Sequence, residues 1–186
     1  VDDLTRLALD AGVGDRLALS TFVRHTQPDV WRLCAYLVDH QQADDLTQDT
    51  FVRAIKALPS FRGESSARTW LLAVARHTCM DALRSQHRRR ALRDRLVAQP
   101  AERAPDATAS SDLYDLVDQL DQDRRTAFVL TQILGLGYAE AADVAGCPIG
   151  TIRSRVSRAR QDLLVLTGEG SGAADDTGTA RRTGAG

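Results

Sequence analysis

Apolar residues recur along this chain at intervals of three and four, and no segment alternates as a strand would, so the pattern predicts helices throughout. Val30, Leu33, Cys34, Leu37 and Val38 form one stripe, followed by a polar break at His40-Gln41-Gln42. A second helix is expected from Asp44, a suitable N-cap, burying Phe51, Ala54, Ile55 and Leu58 until Pro59 stops it. Phe61-Arg62-Gly63-Glu64-Ser65-Ser66 reads as a loop whose Gly and Ser residues turn the chain and cap the next helix. That helix is long, running from about Ala67 to the arginines near residue 90. Its apolar face carries Leu71, Val74, Ala75, Thr78, Cys79 and Ala82, and its other face Trp70, Ala73, His77, Asp81 and Arg84.

From about Leu96 to Ser111 the periodicity gives way to prolines and small polar residues, a tether of about 16 residues with an extended reach of roughly 50–58 Å. Helical spacing resumes with Leu113, Leu116, Val117 and Leu120, then Phe128, Val129, Ile133 and Leu134. Ala141, Ala142 and Ala145 let a further helix cross closely, Gly146 suits a helix-ending positive φ, and Pro148 pre-sets φ for the next start. Ile152, Val156, Ala159 and Leu163 make the buried stripe of that last helix. Arg153, Arg155, Arg158 and Arg160 lie off it with no acid among them. A helix-turn-helix with a cationic second helix suits a DNA major groove. The expected fold is therefore all-α, two small helical domains at 18–95 and 112–167 joined by a flexible linker at 96–111. Residues 1–17 form an extension, and the Gly-, Thr- and Asp-rich tail 168–186 is expected to be disordered.

Composition refines this picture at four points. A hydrophobic content of 43% in 186 residues supports folded cores, and 5% aromatic makes them mostly aliphatic. No apolar run approaches the roughly 18 residues of a membrane span, and no signal-peptide pattern is evident, so a cytoplasmic location is expected. Cys34, Cys79 and Cys147 are odd in number, widely spaced and lack a C-x-x-C pair, which favours reduced, mostly buried thiols over a zinc site or a redox switch. The net charge of −1 conceals segregation: residues 1–98 hold 15 Arg/Lys against 12 Asp/Glu, residues 99–170 hold 7 against 11. Local patches, not the total, decide phosphate attraction.

Four stretches in order carry a resemblance: Asp44-Asp45-Leu46-Thr47-Gln48-Asp49-Thr50-Phe51, then 61–71 from Phe61 to Leu71, then Ala75-Arg76-His77 with Asp81-Ala82-Leu83-Arg84, and the helix-turn-helix. Together, over about residues 18–166, they resemble the extracytoplasmic-function (ECF) group of sigma-70-type initiation factors of bacterial RNA polymerase. The resemblance implies as partners core RNA polymerase (the β′ coiled coil and the β subunit) and promoter DNA, with an anti-sigma factor as a further partner to test for. It implies no cofactor, metal or catalysis. Asp45, Gln48, Asp49 and Arg53 match the polymerase-binding helix, an acidic face suited to a basic partner. Phe61, Arg62, Gly63, Glu64, Ser65, Ser66, His77, Arg84 and Arg88 match the part that reads the −10 element, where a base leaves the stack for a pocket. Thr151, Arg153, Ser154, Arg155, Ser157, Arg158 and Arg160 match the −35 reader. Of these, Arg153, Ser154, Ser157 and Arg158 are expected at the bases, and Thr151, Arg155 and Arg160 at phosphates.

Two positions depart from the family pattern. Asparagine is common where this chain has His77, which offers a different hydrogen-bonding edge. Ser157 is smaller than its counterpart in some relatives. Residue by residue, plainer readings stay open: Phe61 as a core residue, His77 as a surface histidine paired with Asp81, and the run Arg84, Arg88, Arg89, Arg90, Arg93 and Arg95 as a solvated helix end. The competing whole-chain reading is a stand-alone helix-turn-helix regulator, dimeric on palindromic DNA. That reading leaves the acidic face and loop 61–66 unexplained. An enzyme is excluded more simply: no phosphate-cradling glycine loop, metal-spaced cluster or nucleophile elbow occurs.

Overall fold

The computed structural model describes residues 2–96 and 112–168; most of the expected linker and the tail from 169 onward lie outside these. Among the described residues there is no strand. The helices are α1 (Asp3–Gly12), α2 (Arg16–Leu37), α3 (His40–Ala57), α4 (Ala67–Leu96), α5 (Asp112–Asp118), α6 (Gln122–Phe128), α7 (Tyr138–Ala145) and α8 (Ile149–Leu166).

The first four pack around one core. Phe22, Leu33 and Leu37 of α2 meet Leu71 and Leu72 of α4 there, all fully buried. Each such side chain contributes roughly 1.5–3 kcal/mol against exposure. Asp15 caps α2 by accepting from the Leu17 and Ala18 amides at 2.8 and 3.0 Å. The stretch read from sequence as an extension is a folded helix, α1, packed against α2, α4 and the 3₁₀ turn Leu58–Ser60. α3 begins at His40, not Asp44. Asp39 is the N-cap, accepting from the Gln42 amide at 2.7 Å, while Asp44 accepts instead from Trp31 Nε1 at 2.8 Å. The polar run His40-Gln41-Gln42 is thus the first turn of the helix and not a break.

In the second unit α6 runs into one π-helical turn, Val129–Ile133, closed by the Leu134 amide on Val129 O at 2.9 Å. α7 ends at Gly146, whose φ of +64° admits glycine readily, and α8 starts directly after Pro148. Ile152, Val156 and Ala159 are buried as expected, and Leu163 only partly.

The two units meet face to face. α7 packs on α4, and α5 and α6 on α2, so one apolar core runs through both. Tyr36 and Tyr114 stack with centroids 3.9 Å apart and planes 12° from parallel. Arg68 ties the seam from its side, Nε to Asp29 at 2.7 Å and Nη2 to the Leu134 carbonyl at 2.7 Å. Burial first, and the neighbouring Tyr114 next, push the Tyr36 phenol up to about 12. Tyr114→Ala is therefore expected to bring the Tyr36 transition back toward 10.0, read as phenolate absorbance against pH. A transition unmoved in that variant contradicts the seam.

Candidate nucleic-acid and partner interfaces

Three exposed surfaces gather the residues singled out from sequence. The first is the outer face of α3. Its buried positions are Ala43, Leu46, Thr47, Thr50, Phe51 and Ala54, which leaves Asp45, Gln48, Asp49 and Arg53 exposed together. Ile55, expected in the core, is 42% exposed, because it stands about 100° around the helix from the buried Ala54. Val52 is 52% exposed beside it. The face is consequently acidic at its start and apolar toward its end, a feature that sequence periodicity misses.

Arg53 is also held from within. Its Nη1 lies 2.7 Å from Asp81 of α4, which takes Arg84 on its other oxygen at 2.6 Å. Two arginines matched to different partners thus share one carboxylate. His77 is exposed and does not pair with Asp81; its Nδ1 donates to the Ala73 carbonyl at 2.8 Å, one turn back. The hydrogen bonds from Arg53 and then Arg84 hold the Asp81 carboxyl below its ordinary 3.8. The pairs are solvent-screened, so Asp81→Asn should cost at most about 1 kcal/mol. A depressed carboxyl stabilises the fold above its unfolded value and loses that contribution as pH falls through the lower folded one. The gap in thermal stability between wild type and Asp81→Asn should therefore persist at neutral pH and close below pH 3.8. A gap that survives there rules out the linkage.

The second surface is loop 61–66 with the start of α4. Gly63 turns the chain at φ +71°, and Arg62, Glu64 and Ser65 are exposed. Ser66 Oγ accepts from the Thr69 amide at 3.1 Å. Phe61 is half-buried and tilted against Trp70, with centroids 4.9 Å apart, so one side of its ring packs within the fold. Farther along α4, Arg88, Arg89, Arg90 and Arg93 are exposed.

The third is α8. Arg153, Ser154, Ser157 and Arg158 are exposed, and neither arginine has an ion-pair partner among the described residues. Ser154 Oγ donates to Thr151 O at 2.9 Å, and Thr151 is half-buried. Arg155 and Arg160 differ. Arg155, with its side chain 25% exposed, pairs with Asp123 of α6 and lies 3.6 Å from Cys147 Sγ. Arg160 donates to Gln132 at 2.8 Å. The acid missing from among the arginines 153–160 is thus supplied to Arg155 by another helix.

Among the described residues no group of His, Cys, Asp and Glu is arranged to hold a metal ion, and no helix is long and apolar enough to cross a membrane. Cys34, Cys79 and Cys147 are free thiols, the first two buried.

Known proteins resemble this arrangement. Residues 22–89 match sigma-70 region 2 and residues 110–163 match sigma-70 region 4, so α1 lies ahead of both matches. The ECF RNA polymerase sigma factor SigC of Mycobacterium tuberculosis (strain CDC 1551 / Oshkosh) is 51% identical over 167 residues, covering 87% of this chain and 89% of the relative. The ECF RNA polymerase sigma-E factor of Haemophilus influenzae is 34% identical over 164 residues, covering 80% and 86%. Among solved structures, the sigma factor RpoE of Bartonella quintana, crystallised with the anti-sigma factor NepR, superposes with a TM-score of 0.68. It is 31% identical, over 80% of this chain and 96% of that one. CnrH, in complex with the cytosolic domain of CnrY, gives a TM-score of 0.69 at 26% identity, over 91% of this chain and 100% of that one.

Proposed function

This chain belongs to the ECF group of the sigma-70 family, and on that premise we propose how its three surfaces divide the work. The outer face of α3 loads onto core RNA polymerase. α8 reads the −35 element as duplex from the major groove, and loop 61–66 with the exposed face of α4 holds unpaired −10 bases. The protein forms and breaks no covalent bond; it selects where polymerase starts, and it acts in the cytoplasm, where that enzyme transcribes.

The observation that carries this reading is the exposed arginine pair of α8. Among the described residues Arg153 and Arg158 stand unpaired on the second helix of a helix-turn-helix, while their neighbours Arg155 and Arg160 are held by α6 and the π turn. Unpaired guanidinium groups donate in bidentate fashion to guanine O6 and N7, so these two are the base readers. The held pair, with Thr151, serves at the phosphates. At the −10 pocket His77 has committed Nδ1 to the Ala73 carbonyl, so Nε2 is the ring edge left to meet a base. The arginines at the end of α4 add backbone attraction without sequence information.

Two elements about one and a half helical turns apart lie roughly 50 Å from one another. α7 packed on α4 does not span that distance, so engagement of both elements breaks the Tyr36–Tyr114 stack and the Arg68 contact with Leu134. RpoE is solved with the anti-sigma factor NepR and CnrH with the cytosolic domain of CnrY, and an anti-sigma partner for this chain fits the same reading. Few aromatic residues flank the loop, so promoter choice is strict and melting of poor sites weak. In vitro transcription with core polymerase on a promoter library tests the reading and returns both elements. Transcription indifferent to single-base changes in either one rejects it.

A further inference from the structure

We propose that α1 is a working part of the −10 reader and that Thr5 is its positioning residue; this rests on loop 61–66 being part of that reader. The family match begins beyond α1, yet α1 closes the loop from below. Thr5 is 2% exposed, and its hydroxyl accepts the Ala67 amide at 2.9 Å, across 62 residues of sequence. The same hydroxyl donates to Asp2 Oδ2 at 2.5 Å, and the Thr5 amide donates to Asp2 Oδ1 at 3.0 Å. The chain of bonds thus runs from the Ala67 amide through the threonine oxygen to a carboxylate.

Ala67 is the first residue of α4 and fully buried, so its amide has neither an intrahelical acceptor nor water. Ser66, the last loop residue, takes the Thr69 amide with its own hydroxyl. The loop's exit is therefore pinned twice, once by itself and once by α1. Its sharpest turn rests on the same helix: a Cβ at Gly63 would lie 3.5 Å from Thr5 Cγ2 and 3.6 Å from Leu9 Cδ1. One threonine fixes both the floor of the loop and the point where it becomes α4. A pocket that tells bases apart needs its edges held within about half an ångström, and this side chain supplies the constraint.

The test uses the full-length protein with core polymerase, a promoter matched at both elements, and templates with single-base changes in the −10 element. Thr5→Val keeps shape and removes the hydroxyl. It is expected to lower the ratio of transcription from matched over changed −10 templates about tenfold, the scale of orphaning one buried amide. Polymerase co-purification and affinity for the −35 duplex stay at wild-type values, and Thr5→Ser restores the −10 ratio to within about twofold. A wild-type ratio in Thr5→Val, an equal loss of −35 reading, or a failure of Thr5→Ser to rescue overturns the proposal. If circular dichroism shows that Thr5→Val does not fold, Asp2→Ala carries the test, because Asp2 is exposed. Its −10 ratio falls in the same direction, and an unchanged ratio overturns the proposal equally. Wild-type protein lacking any −10 preference instead removes the loop assignment itself, which separates the two failures.

Discussion

Asp49→Arg should weaken loading onto core RNA polymerase by about thirtyfold, or about 2 kcal/mol, the scale of a reversed charge at a complementary interface. Asp49 stands midway along the exposed face of α3, with Asp45 and Gln48 before it and Val52 and Ile55 after it. No ion pair within the described residues uses it, so the reversal takes nothing from the fold. The one internal cost is a like charge four residues before Arg53, a few tenths of a kcal/mol. Melting temperature should accordingly hold while co-purification with polymerase fails, and the defect should ease as salt is raised. Unchanged co-purification removes α3 as the docking face.

Arg158→Ala carries the next largest effect. A bidentate arginine–guanine pair is worth about 1–3 kcal/mol of discrimination, so affinity for a matched −35 duplex should fall about tenfold or more. The variant should then bind matched and mutated upstream sites nearly alike, with polymerase loading intact. Arg155→Ala is the informative contrast. It breaks the pairing with Asp123, so it should lower the stability of the second unit and weaken binding to all sequences evenly. Equal loss of selectivity in both variants would contradict the division into base and phosphate contacts.

Much of this architecture is legible in local sequence. The turn at Gly146, the proline ahead of α8 and the stripe Ile152-Val156-Ala159 specify the helix-turn-helix because each acts within a few residues. α1, expected only as an extension, carries local signals as well, with Asp2 as cap and Leu4, Leu7, Ala8 and Ala11 at helical spacing; what no spacing reveals is that Thr5 serves a helix 62 residues away. The same limit explains the arginines. Arg53 with Asp81, and Arg155 with Asp123, are partners 28 and 32 residues apart, so counting charges along one helix makes both look free. Ile55 fails for another reason: next to a true core position, an isoleucine satisfies the apolar pattern whether it faces inward or outward. The seam through Tyr36 and Tyr114 joins two units that periodicity treats separately.

Neither unit suffices without polymerase to align them. The direct measurement compares binding of the purified protein to a duplex matched at both elements, alone and with core RNA polymerase, alongside its mass in solution. The purified protein is expected to be a monomer that binds this duplex weakly by itself and forms a heparin-resistant, start-site-specific complex once core polymerase is added. A protein that never joins polymerase yet grips an inverted repeat tightly as a homodimer would contradict it.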